Sequence, residues 1–136
     1  MMRQTLMPEL LEFEEPRARL WSVQWLTSPW YENPDMANRL TGIVGSDATI
    51  DSDGVVRIVF AGRDPGAANW LDTTGYRQGV FVTRWIWCDA GPEPQITVLP
   101  VSTLRDRLPP DTRILSVEER GAQIARRRSH LARRRR

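Results

Sequence analysis

The chain of 136 residues contains no lysine; all 19 of its basic side chains are arginine. It holds one cysteine, Cys88, and one histidine, His130. A single cysteine excludes an internal disulfide and any multi-cysteine zinc site, and it fits a reducing compartment, the cytoplasm. A single histidine, set among arginines near the C-terminus, argues against a buried Ser-His-Asp or Cys-His arrangement. No apolar run approaches the roughly 18–20 residues of a membrane helix. Glu9, Glu12, Glu14 and Glu15 stand where a signal peptide would be apolar. Phosphate-binding loop, dinucleotide glycine fingerprint, nucleophile elbow and metalloprotease helix motif are all missing. No catalytic residue, metal site or cofactor is therefore assigned, and no membrane insertion is expected.

The length fits one domain with a proper core, since domains usually run to roughly 100–200 residues. Charge is unevenly placed. Seven arginines lie within residues 126–136, and all 17 carboxylates lie before them. Residues 1–125 carry a balance of −5 and the terminal stretch +7, an acidic body with a basic tail. Such a tail attracts nucleic acid or an anionic membrane by simple electrostatics. It has no aromatic side chain for base stacking, so it reads as a solvated tail with no specific nucleic-acid partner.

Periodicity supplies the architecture. Residues 1–18, broken by Pro8 and Pro16, read as a short helix or an unpaired lead-in. Arg19 to Leu26 alternate, with Trp21, Val23 and Trp25 on one face, as a strand does. Asp51-Ser52-Asp53-Gly54 is a hairpin turn. Val55 to Ala61 and Gly79 to Cys88 read as strong strands, and Gln95 to Val101 as a short one. Runs of this kind between tight turns predict an antiparallel β-sandwich over residues 19–108. Ser116-Val117-Glu118-Glu119 is a capping box that starts a helix. Its stripe of Val117, Ile124 and Leu131 is thin, so residues 109–136 read as a surface helix fraying into the arginine tail.

Two groups of side chains invite chemistry. Six tryptophans are many for this length. Phe81, Thr83, Trp85 and Trp87 share one strand face, and an inward turn makes them core. Turned outward, they form a platform for a sugar ring or a flat apolar ligand, and an interface is the third reading. Asp51, Asp53, Asp64 and Asp72 stand near strand ends, where turn capping accounts for them and a carboxylate pair remains the catalytic alternative. Arg57 and Arg84 sit in mid-strand, where an arginine snorkels to solvent, pairs with a buried carboxylate or binds an anionic ligand.

The segment Asp64-Pro65-Gly66-Ala67-Ala68-Asn69-Trp70-Leu71-Asp72-Thr73-Thr74-Gly75, followed by Gly79 and Arg84-Trp85, resembles the C-terminal domain of domain-of-unknown-function family 1214. The strand Trp21 to Leu26, Trp30, the hairpin at Asp51 to Gly54, and Val101 to Leu104 before Leu108-Pro109 fit in order. The resemblance covers roughly residues 18–131. It implies a jelly-roll-like β-sandwich with a C-terminal helix, usually the last part of a longer protein, and no established activity. Relatives often carry histidine where this chain has Tyr76, which removes one acid–base group.

The leading expectation is a binding or assembly module without catalysis of its own. Its candidate binding residues are Asp64, Asn69, Trp70, Asp72, Tyr76, Arg84 and Trp85. The rival is an enzyme, or part of one, acting on a small or sugar-like substrate through Asp64 and Asp72. The expected partners are a small-molecule ligand, a second copy of the chain, or a chain supplying the N-terminal region that relatives carry. The family resemblance leaves open a stand-alone domain or a shortened remnant. Asn69-Trp70-Leu71-Asp72 reads as a structural corner, and the arginine tail as dispensable for folding.

Overall fold

Val55–Ala61 forms β4 as its alternation demands, with Val56, Ile58 and Phe60 buried on one face. The hairpin turn before it closes through Gly54 N–H to the Asp51 carbonyl, 2.9 Å. Gly54 there adopts φ 79°, a left-handed conformation that only glycine takes without steric cost. The computed structural model describes residues 8–134. In chain order the other elements are β1 (Glu9–Glu14), β2 (Ala18–Thr27), β3 (Gly42–Val44), β5 (Trp70–Asp72), β6 (Gly79–Cys88), β7 (Gln95–Val98), α1 (Val101–Arg107) and α2 (Val117–Arg134). They build a mixed α/β fold with two sheets, a four-stranded one ordered β5-β4-β1-β7 and a three-stranded one ordered β3-β2-β6.

The sheets meet over an aromatic and aliphatic core. Leu11 and Phe13 of β1, the even residues of β4, and Trp21, Val23 and Trp25 of β2 form it, with Phe81 and Trp85 of β6 packed against them. Phe13 meets Trp21 edge-on at 5.4 Å between ring centroids and Trp85 at 5.0 Å, within the range where aromatic pairs add stability beyond area. Gly79 lets β6 approach β2, since a Cβ there would lie 2.9 Å from the Leu26 carbonyl and from the Trp25 ring. A second cluster fills the other face of the four-stranded sheet, where Leu10, Val59, Ala61 and Trp70 pack with Leu104, Leu108 and Ile124 of the helical region.

Four expectations are corrected. Glu9–Glu14, within the stretch read as a lead-in, is a central strand paired to β4 on one side and β7 on the other. Both of its faces are covered, so the alternation that marks a half-exposed strand is absent; residues 1–7 lie outside the described residues. The sheet is not wholly antiparallel, because β5 runs parallel to β4 with Phe60 opposite Leu71. Residues 101–107, within the expected sandwich, form α1. Finally, α2 does not fray where the arginine stretch begins at Arg126 but continues to Arg134. The capping box does form: Ser116 Oγ accepts from Glu119 N–H at 3.1 Å, and the Glu119 carboxylate accepts from Ser116 N–H at 2.8 Å.

Candidate functional site

The loop from Gly62 to Gln78 leaves β4, doubles back through β5 and re-enters the sheets at β6. It carries five of the seven candidate residues, and the side-chain polar atoms of four of them, Asp64, Asn69, Trp70 and Asp72, bond the chain itself. Asp64 accepts from Gly66 N–H at 2.8 Å and from Arg120 Nε at 2.9 Å. Asn69 is buried; its Oδ1 accepts from Thr49 N–H at 2.9 Å, and its Nδ2 donates to the carbonyls of Thr49 and Arg57 at 2.7 and 2.9 Å. Trp70 is buried with its indole N–H on the Ala61 carbonyl, 3.0 Å. Asp72 caps the next turn, accepting from Thr74 N–H at 2.9 Å and its hydroxyl at 2.5 Å. Tyr76 stands at the surface, edge-on to Trp25 at 5.2 Å with the Arg39 guanidinium 5.9 Å from its ring.

The remaining two candidates lie elsewhere. Arg84 and Trp85 are sequence neighbours on β6 and therefore face opposite ways. Trp85 enters the core, whereas Arg84 lies on the outer face, its Nη1 3.3 Å from Gln24 Oε1. The seven residues thus divide into the Asp64–Trp70 corner beside α2, the internal Asn69, the Asp72–Tyr76 surface turn, and the two faces of β6. Asp64 is held by Gly66 N–H and Arg120, and Asp72 by the Thr74 turn, so each carboxylate has its own partners.

Trp87 departs from the expected face. Its backbone is left-handed, φ 51°, and its ring is 73% exposed with the Arg19 guanidinium 4.6 Å from the ring centroid. Leu20, Val44 and Ile86 are also exposed, on the outer face of the three-stranded sheet, where Leu20 lies opposite Ile86 and Val44 opposite Ser22. One edge of that sheet is β6, ten residues long, and the other is β3. The corresponding face of the four-stranded sheet is covered by the helical region.

Three arginines organise the molecule, and for Arg57 pairing with a buried carboxylate was one of the readings its sequence position offered. Arg57 bonds Glu12 at 2.9 Å, Asp51 at 2.9 Å and Asp53 at 2.7 Å. Its pairing, led by the Asp53 hydrogen bond, holds the guanidinium above its ordinary pKa and the Asp53 carboxyl below its own. Arg120 is 4% exposed and bonds Asp64, the carbonyls of Ala67 and Ala68, and Gln123. Arg127 donates from Nε to the Met36 carbonyl at 2.9 Å and from Nη1 to the Gly42 carbonyl at 3.0 Å. Arg120, Ile124, Arg127 and Leu131 recur at helical spacing, so the docked face of α2 was present in the sequence with arginine at two of its positions.

Among the described residues, no three His, Cys, Asp or Glu side chains gather as metal ligands. No described helix is long and apolar enough to cross a membrane. No protein-family model matches the chain, and no curated protein does. Among solved structures it is similar to an uncharacterized protein from Burkholderia cenocepacia, with 27% identity and a TM-score of 0.69, over 74% of this chain and 28% of that one. It is also similar to the VPA0106 protein of Vibrio parahaemolyticus, with 17% identity and a TM-score of 0.56, over 72% of this chain and 27% of that one. The chain therefore spans less than a third of either relative's length, and what the second of them shares with it is the fold.

Proposed function

We propose that the chain is a domain of the domain-of-unknown-function family 1214 type, a jelly-roll-like sandwich working in the cytoplasm, and that it acts as a binding or assembly module without catalysis of its own. One observation carries the assembly role: the three-stranded sheet ends on a ten-residue edge strand and shows Leu20, Val44 and Ile86 on a face that nothing among the described residues covers. Long edge strands offer unpaired N–H and C=O groups, and proteins usually shorten, charge or cover them. The occupant proposed is a further polypeptide, of the kind that makes up most of the similar Burkholderia chain beyond the 28% matched here. It would add a strand to β6 and lay apolar side chains over Leu20 and Ile86.

Co-expressing the full chain with the part of that Burkholderia protein outside the matched region tests the proposal. Co-purification is expected, and Leu20→Asp with Ile86→Asp should abolish it. A complex that survives both substitutions would remove the sheet face from consideration. Light scattering that finds the chain alone already dimeric through this face would replace the partner with a second copy.

A further inference from the structure

Helix α2 is not a free tail but a rod fixed to the body, and beyond Glu119 its charge is all of one sign. Arg120 and Arg127 clamp one side through backbone carbonyls, while Ile124 packs into the second core cluster. The docked positions fall at 120, 124 and 127, and 131 continues the same row, so the opposite side of the helix is set by geometry. That side and its flanks carry Arg126, Arg128, His130 and Arg133; these three arginines, and Arg134 at the helix end, are exposed. Among the described residues none of these four has a carboxylate within ion-pair distance, whereas Arg113 and Arg120, just before the helix and in its first turns, both do. The helix dipole accounts for cations in the last turn, at Arg133 and Arg134. It does not account for Arg126 and Arg128, about two turns earlier.

We propose that this arginine face docks the phosphodiester backbone of nucleic acid, without reading its sequence. Guanidinium groups match phosphate oxygens in pairs. Arg126 and Arg133, seven residues apart, stand on one face about 10 Å from each other, with the Ser129 and His130 side chains between them as further donors. Because the rod is already helical and clamped, little backbone entropy is lost when it meets a rigid polyanion. The body, with its balance of −5 over residues 1–125, repels the same polyanion and so confines contact to the helix end. An anionic bilayer fits less well, since Ile124 is packed into the body and the exposed arginine side offers no apolar stripe to enter a bilayer.

Fluorescence anisotropy of a labelled DNA duplex, titrated with the full chain across a salt series, is the test. Weak binding is expected, with a dissociation constant in the range of about 1–100 μM near physiological salt, tightening as salt falls. Arg126→Gln with Arg133→Gln should lower the slope of log affinity against log salt by up to about 1.8, close to 0.9 for each phosphate no longer neutralised. Their thermal midpoint should stay at the wild-type value, since neither side chain is docked. Arg17→Gln, Arg63→Gln and Arg77→Gln, exposed arginines of the body, should leave the slope unchanged. The proposal is overturned if the duplex does not bind at low salt, or if the body variants weaken binding as much as the helix variants. Tighter capture by phosphatidylserine vesicles than by the duplex at equal salt would transfer the face to a membrane.

Discussion

Arg120 grips Asp64 side-on, Nε 2.9 Å from one carboxylate oxygen and Nη2 3.1 Å from the other. The two residues are unequal partners. Asp64 is more than a third exposed, while the Arg120 side chain is almost wholly covered and also holds the carbonyls of Ala67 and Ala68 beside the Trp70 ring. Arg120→Ala should therefore cost about 3 kcal/mol, because it strips hydrogen bonds from buried carbonyls as well as from the carboxylate. Asp64→Asn should cost about 1 kcal/mol or less, since its charge is screened by solvent and Arg120 keeps its carbonyl partners. Urea midpoints of the two variants measure the difference. Equal losses would mean that the ion pair, not the carbonyl contacts, holds α2 in place.

Asn69 and Asp72 look alike in sequence, two short polar residues in one corner, but the structure separates them. Asn69 satisfies two groups of Thr49 and one of Arg57 from a buried position. Its removal leaves those groups without partners, so Asn69→Ala should destabilise by about 2–3 kcal/mol. Asp72 bonds only an exposed turn at Thr74 through its side chain, and Asp72→Ala should cost about 1 kcal/mol. An enzyme built on this loop predicts instead that both variants keep or gain stability while losing a ligand. Denaturant midpoints measured on the pair, with wild type alongside, distinguish the two accounts.

Glu9 is the inner-face residue at the start of β1, 3% exposed, opposite Phe60 and Val98 in the two flanking strands. Its Oε2 has no hydrogen-bond partner among the described residues. Burial without a compensating charge raises its pKa from 4.5 to about 7. Between those values the folded chain binds a proton that the unfolded chain has released. This contribution is therefore fully present below about pH 4.5 and is lost as pH rises toward 7, amounting to up to about 3 kcal/mol. Glu9→Gln should keep that stability at pH 8 and flatten the dependence between about pH 5 and 7. Thermal midpoints across that range, unchanged in slope by the substitution, would assign the dependence to another group.

What the sequence disclosed follows from which faces water touches. β4 and β6 were legible because their β-branched and aromatic runs are bounded by turn residues, and the α2 start because its capping box is local chemistry. β1 was not, since Leu10 faces the helical region while Leu11 faces the other sheet, and a strand covered on both sides loses its period. β5 has three residues and gets its strand character only from lying beside β4. Strand period already parted Arg84 from Trp85, which shares its face with Phe81 and Thr83, but period does not say which face turns inward. Trp87 shares its strand period with Trp85, yet it is exposed, and its backbone is left-handed.

Arg127 makes the terminal stretch part of the fold, which reverses the expectation that it is dispensable. Its guanidinium binds the Met36 carbonyl in the connection between β2 and β3 and the Gly42 carbonyl at the start of β3. Burial there lowers its pKa, and the nearby Asp47 carboxylate works against that shift. Hydrogen bonds from a charged donor are worth about 1.5–3 kcal/mol each in favourable cases, and the cost of covering the cation offsets part of this. A chain ending at Ala125 should therefore lose about 1–2 kcal/mol and release the 36–42 connection. A chain ending at Arg128 should retain more of that stability, because it keeps both hydrogen bonds although its last turn frays. Arg127→Met separates packing from hydrogen bonding, since it keeps much of the apolar stem but leaves both carbonyls without a donor. It should fall near the shorter truncation in thermal midpoint, and amide exchange of residues 36–42 should quicken in both. If Arg127→Met instead matches wild type in both measurements, the helix is held by Arg120 and Ile124 alone, and the two carbonyls find water in place of the guanidinium.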